Sequence, residues 1–227
     1  GPTALGRDVA CAGAAGEAVG ISGPSGAGKY SLARALVGAW LPVHGEIRLD
    51  GAKIDQWPAD VIGRHIGYLP QGVELLDGTV ADNIARLSSV PDFAAVLEAA
   101  RLARAHEMIL KLPQGYDTRV GLGGVTLSAG QRQRVGLARA IYGNPFLVVL
   151  DEPNANLDAE GDDALAQAVA DLKAGGSIVV VIAHRPSAIA HCDHVLVISE
   201  GRQTGFGPKD DILKRATLSP VRQVAAL

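Results

Sequence analysis

The sequence predicts an α/β fold on a mostly parallel central sheet, with an antiparallel β edge and a helical subdomain. Three observations carry that expectation. Apolar runs rich in Val and Ile, FLVVLD at 146–151 and SIVVVIA at 177–183, alternate with helical segments, and strands apolar enough to be covered on both faces belong to parallel sheets. A glycine-rich turn at 23–28 joins a short apolar run to a helical pattern. The stretch 79–112 has helical periodicity throughout, which reads as an insertion between sheet elements.

The elements follow in order. EAVGIS at 17–22 is a strand, and SLARALVGA at 31–39 places its apolar residues at helical spacing. GEIRLDGAKI at 45–54 alternates apolar and polar residues around an Asp-Gly turn, and Ile66 to Pro70 begins another short strand; both read as sheet edges. Amphipathic helix covers Thr79 to Leu112, punctuated by Pro91 and Pro113. A polar glycine turn opens a helix within Leu127 to Tyr142, followed by the strand FLVVLD, an Asp-rich helix and the strand SIVVVIA. The last strand is expected at His194 to Ser199, leading through GRQTGFG into a short C-terminal helix. One domain fits 1–227, with 1–75 and 143–227 as its core and 76–142 as the helical part.

Composition narrows the function. The 21 basic and 24 acidic residues leave a net charge of −3, which is not the profile of a polyanion binder. Arg132, Arg134 and Arg139 share one helix and read as a solvated or ion-paired face, so no nucleic acid is expected. Two cysteines, Cys11 and Cys192, make no disulfide framework and read as packing residues. The apolar runs fall far short of the roughly 20 residues that span a bilayer. His191, Cys192, Asp193 and His194 are adjacent just before a strand, where alternate residues point to opposite faces, so they do not converge on one ion.

The chemistry concentrates in two places. Gly23, Pro24, Ser25, Gly26, Ala27, Gly28, Lys29 and Tyr30 match G-x-x-x-x-G-K-[ST] except at the last position, and Ser31 follows. Such glycines let backbone N–H groups point inward, the helix adds its positive end, and the lysine reaches terminal phosphates: a phosphate cradle. Downstream, Asp151 ends an apolar strand at the edge where parallel sheets present ligand-facing groups, suited to Mg²⁺. Glu152 beside it is placed to orient or deprotonate a water attacking a phosphate.

LSAGQ at 127–131, followed by RQRVGLARAI, resembles the LSGGQ signature of ATP-binding cassette (ABC) ATPases, with Ala129 replacing one glycine. That resemblance covers nearly the whole chain. It implies ATP and Mg²⁺ as ligands, Gln71 as the Q-loop glutamine touching the metal, Asn156-Leu157-Asp158 as the D-loop, and His184 as the switch histidine at the γ-phosphate. It further implies a head-to-tail pair of cassettes, in which Ser128, Gly130, Gln131 and Asp158 of one copy complete the site of the other. Catalysis falls to Glu152, His184 and Lys29, and metal binding to Asp151 and Gln71.

The strings IGYLPQGVELLDGTVADNIAR, TRVGLGG at 118–124, LVVLDEPNANLDAEGD and VIAHRPSAI resemble the exporter branch, in particular type I protein secretion. The resemblance implies a transmembrane domain as partner, here absent from the sequence, together with membrane-fusion and outer-membrane channel proteins. It also implies a place at the cytoplasmic face of the bacterial inner membrane. Three residues depart from the pattern. Tyr30 stands where a Mg²⁺-binding Ser or Thr belongs, Leu122 where exporters often carry glutamate, and Ala129 at a close phosphate contact. The Tyr30 phenol oxygen lies a ring's length from the backbone and cannot take the hydroxyl's place. A cassette that binds nucleotide but hydrolyses poorly is therefore the alternative reading, ahead of a soluble non-transport cassette and a small-molecule kinase.

Overall fold

A computed structural model describes residues 8–155, 157, 159–184 and 186–218. Its centre is a six-stranded sheet. In spatial order this comprises β10 (Arg202–Pro208), β9 (His194–Ser199), β1 (Ala18–Ser22), β8 (Ile178–Ile182), β7 (Leu147–Asp151) and β4 (Ile66–Leu69). Every neighbouring pair is parallel except β10 with β9. The expected class therefore holds, with its antiparallel edge at β10.

Alternation along the strands divides the core into two layers. Val148 and Leu150 of β7 pack with Val135 and Ala138 of α6 (Ala129–Ile141), whereas Leu147 and Val149 pack with Ala33 of α1 (Lys29–Leu36). Side chains two apart on a strand share a face, so Asp151 lies on the α1 side of the sheet with Val149. On the other side, α6 rests directly on β4. A Cβ at Gly67 would lie 2.0 Å from the Ala140 carbonyl oxygen, so only glycine admits this approach.

The remaining elements refine the sequence reading. β2 (Arg48–Leu49) and β3 (Ala52–Lys53) form a separate hairpin, and Asp50 and Gly51 take φ of 50° and 79°, the left-handed pair of a tight hairpin turn. The helical stretch breaks into α3 (Val80–Ile84), α4 (Phe93–Leu102) and α5 (His106–Leu110), because Arg86, Leu87 and Arg104 adopt positive φ. β5 (Gly78–Thr79) and β6 (Arg119–Val120) pair as a small antiparallel sheet beside them. An unexpected helix, α2 (Ala59–His65), follows Pro58; none of its residues is buried, so it left no apolar period to read. The first helix begins at Lys29 and ends at Leu36, before Gly38 turns left-handed at φ 75°. GRQTGFG, read as a connection, supplies most of β10. Its glycines hide any alternation, and the ladder to β9 makes it a strand.

Two further helices complete the architecture, the long α7 (Ala159–Ala174) and the shorter C-terminal α8 (Lys209–Leu218). Among the described residues no helix is long and apolar enough to cross a membrane. Cys192 is buried as expected, whereas Cys11 is exposed and so is not a packing residue.

Candidate functional site

The glycine-rich turn leaves the carboxyl end of β1 and opens α1. Gly23 and Gly26 have φ of 152° and 76°, and Gly28 caps the helix at φ 100° with no side-chain cap bond. A Cβ at Gly23 would lie 2.0 Å from the Ile198 carbonyl oxygen, so the loop begins pressed against β9. An uncapped helix end carries orphan N–H groups and a positive dipole end, the arrangement that receives phosphate.

Lys29 is nearly buried, at 6% exposure. Its ammonium donates to the carbonyls of Gly23 at 2.7 Å and Pro24 at 2.9 Å, and lies 3.5 Å from His184 Nδ1. Those three contacts occupy all three of its donors. Desolvation pulls its pKa below the ordinary 10.5, against the opposing charges of Glu152 and Asp151.

Asp151 and Glu152 sit side by side but in different surroundings. Asp151 belongs to the strand and is 4% exposed, and its Oδ2 has no hydrogen-bond partner. Burial pushes its pKa above 3.8, and the Glu152 charge adds to this. An orphaned carboxylate oxygen at a sheet's carboxyl edge fits a hard cation such as Mg²⁺, which takes oxygen ligands. Glu152 leaves the strand at φ 48° while its N–H donates to the Ile182 carbonyl at 2.8 Å. Its two oxygens are held separately: Oε1 lies 2.8 Å from His184 Nε2, and Oε2 accepts from Gln71 Nε2 at 3.3 Å. Glu152, His184, Gln71 and Lys29, scattered in sequence, are thus one cluster.

Tyr30 turns to other neighbours. Its ring meets Trp40 edge-on, centroids 5.9 Å apart, and the Arg34 guanidinium lies 4.9 Å over its centre. The position therefore gives no short hydroxyl beside Asp151. Two further residues face this acid that the sequence reading missed. Arg34 opposes its raised pKa by charge, and Tyr68, pushed up to about 12 chiefly by burial, feels the Asp151 charge in turn. Arg34 was legible in principle, one helical turn from Tyr30, whereas Tyr68 comes near Asp151 only through the β4–β7 register, in which it pairs with Val149.

Ser128 caps α6 in a reciprocal box: its hydroxyl accepts from Gln131 N–H at 3.2 Å and its own N–H donates to Gln131 Oε1 at 2.8 Å. Gly130 lies in the same first turn. Among the described residues no hydrogen bond joins Ser128, Gly130 or Gln131 to the loop at 23–31. Asn156 and Asp158 lie outside the described residues. Two of the three arginines of α6 correct an expectation: Arg132 donates to the Leu127 carbonyl at 2.6 Å and Arg139 to the Glu74 carbonyl at 3.1 Å, so these two tie backbone rather than join Arg134 in a solvated or ion-paired face. Gln133, also missed, is buried and donates to the Pro153 carbonyl at 3.0 Å, joining α6 to the segment after Glu152. Of the adjacent 191–194 residues, Asp193 binds Lys173 and the Ala18 N–H, while His194 stacks on Phe206.

Comparison with known proteins gives the site a context. The model of the ABC transporter family matches residues 7–155. The type I secretion system ATP-binding protein PrsD of Rhizobium meliloti is 58% identical over 199 residues, covering 88% of this chain and 34% of that protein. The cyclolysin secretion/processing ATP-binding protein CyaB of Bordetella pertussis is 38% identical over 207 residues, covering 91% of this chain and 29% of that protein. A solved bacterial Atm1-family ABC exporter with ATP bound superposes with a TM-score of 0.80 at 36% identity, covering 88% of this chain and 35% of that one. The chain thus spans about a third of the length of these relatives.

Proposed function

The chain belongs to the ABC transporter family as an ATP-binding cassette, and from that premise we propose that two copies, set head to tail, hydrolyse ATP to drive a protein-secreting membrane exporter. One observation carries the reading: Glu152 is held on both carboxylate oxygens, by His184 and Gln71, beside the Lys29 ammonium at the end of the phosphate loop.

Binding begins with an exchange of partners. The Lys29 N–H groups leave the Gly23 and Pro24 carbonyls for the terminal phosphates of ATP, while the backbone of 23–31 and the uncapped end of α1 surround the rest. His184 turns from Glu152 to the γ-phosphate, and Gln71 gives up Glu152 in the same way. The freed carboxylate takes a proton from the attacking water as general base. Asp151, whose Oδ2 has no hydrogen-bond partner, and Gln71 would hold Mg²⁺, which would supply positive charge to offset that of the terminal phosphates. From the second copy come Ser128, Gly130, Gln131 and Asp158. The Ser128 oxygen is an acceptor in its own cap, so its O–H is available to donate to the γ-phosphate.

The segment 76–142 acts as the helical unit that carries the signature, and 1–75 with 143–227 as the nucleotide-binding core. Partners are a second copy, a transmembrane domain, and membrane-fusion and outer-membrane channel proteins; the place of work is the cytoplasmic face of the inner membrane. The secretion proteins among the relatives support the export reading. Phosphate release from Mg-ATP over a range of protein concentrations tests it. The rate per chain rises with concentration, as a site shared between copies requires, and Glu152→Gln lowers it at least about 100-fold while ATP binding persists. A rate per chain independent of concentration, or unaffected by Glu152→Gln, overturns the reading.

A further inference from the structure

We infer that Arg86 is a positioning residue that fixes the signature helix to the strand leading to Gln71, so that the two halves of a shared nucleotide site move together. This rests on the cassette-dimer reading. Arg86 ends the α3 segment at φ 57° and sends its guanidinium across the subdomain boundary. Its Nε donates to the Arg139 carbonyl at 3.0 Å and Nη2 to the Ala140 carbonyl at 2.9 Å, both in the last turn of α6. Its Nη1 donates to the Gly63 carbonyl at 2.7 Å, in the last turn of α2, and to Ile66 at 3.2 Å, the first residue of β4.

Four backbone carbonyls from two helix ends and one strand thus converge on one cation, and no carboxylate pairs with it among the described residues. The last carbonyls of a helix lack partners and form the negative end of its dipole. A planar fork of donors is the side chain that serves several of them at once. The contact is reinforced along the same seam. Gly67 admits the Ala140 carbonyl, Gly136 leaves room for Val73 and Leu69, and Arg139 reaches the Glu74 carbonyl beyond Gln71.

The geometry has a direction. From Ile66, β4 runs to Leu69, and Gln71 follows two residues on. From the Arg86 end, α6 runs back over 13 residues, about 20 Å of helix, to Ser128 at its other end. Gln71 senses the nucleotide of its own chain and Ser128 meets that of the partner. Pinning α6 to β4 makes a shift at Gln71 a displacement of Ser128.

The test uses the full chain in parallel with Arg86→Gln, Arg86→Lys and Arg139→Gln. Binding of a fluorescent ATP analogue to monomers, ATP-driven dimerisation in the Glu152→Gln background, kcat of the Glu152 forms and thermal unfolding are all measured. Arg86→Gln leaves monomer affinity within about twofold while weakening dimerisation and lowering kcat about tenfold, the range of a coupling change. Arg86→Lys keeps charge at the helix ends but not the four-way fork, and its loss is intermediate. Arg139→Gln folds with one link removed and shows a smaller loss in the same direction, which preserves the test if Arg86→Gln does not fold. Folded variants with lowered thermal stability but parental dimerisation and kcat overturn the inference, as does a parallel fall in monomer affinity. If the parent itself neither dimerises nor hydrolyses, the cassette-dimer reading falls and the inference with it.

Discussion

His184 Nε2 and Glu152 Oε1 sit 2.8 Å apart across the carboxyl ends of two neighbouring parallel strands. Asp151 and Ile182 are register partners, and the Glu152 N–H returns to the Ile182 carbonyl, which brings the loops after β7 and β8 together. Lys29 donates toward His184 Nδ1, so the neutral imidazole that satisfies both contacts carries its proton on Nε2 and donates it to Glu152. Glu152, His184 and Lys29 thus satisfy one another's polar groups.

Replacing Tyr30 with Ser restores a short hydroxyl at the start of α1 and removes the ring that Trp40 and Arg34 contact. The Mg²⁺ concentration for half-maximal phosphate release falls and kcat rises, each about tenfold, since a metal ligand acts mainly on the transition state. Trp40 emission shifts to longer wavelength as the indole gains water. Identical rates and Mg²⁺ dependence in both chains mean that the phenol is tolerated.

Asp151 has its carboxyl pKa raised by burial, and the adjacent Glu152 charge raises it further. A raised folded-state pKa means the folded chain binds more protons than the unfolded one. The stability from this group is fully present below its unfolded pKa, about 3.9, and is lost as pH rises through the higher folded value. At neutral pH the ionised group is a liability without metal. Asp151→Asn therefore stabilises the nucleotide-free chain at pH 7 by about 1 kcal/mol and flattens the decline of stability from pH 4 to pH 7, while removing the stabilisation by Mg-ATP. Urea unfolding at several pH values reads both; lower stability of the Asn form at pH 7 contradicts the argument.

Gly67→Ala drives a methyl into the Ala140 carbonyl, 2.0 Å from the ideal Cβ position. Both groups are backbone-anchored, so α6 must lift from β4. We expect a loss of about 1–3 kcal/mol in denaturant unfolding, the range for overpacking. Gly26→Ala, whose Cβ meets nothing within 4 Å, pays only for its left-handed φ and loses less. Equal losses count against a packed seam.

Much of this site was legible in the chain. The glycine spacing and Lys29 told of a phosphate loop because few sequences need a left-handed turn before a helix and a lysine together. Asp151 was legible because a carboxylate ending an apolar strand has little structural reason to be there. Runs such as Ile178–Ile182 declared themselves parallel because a strand covered on both faces has no polar side. Elements with weak local signals escaped: α2 buries nothing, and β10 interrupts its alternation with glycine.

What the sequence by itself determined was the class of the sheet, the phosphate loop, the acidic strand end and the signature helix, each written in neighbouring residues through period, turn chemistry or charge. Only the tertiary structure decided that Gln71 and His184 grip the same carboxylate, that Tyr30 spends its ring on Trp40 and Arg34, and that Arg86 closes two helix ends upon one strand. The reason is physical. A period or a turn is fixed by adjacent backbone angles, whereas a carbonyl left over at a helix end finds its partner through the packing of the whole chain.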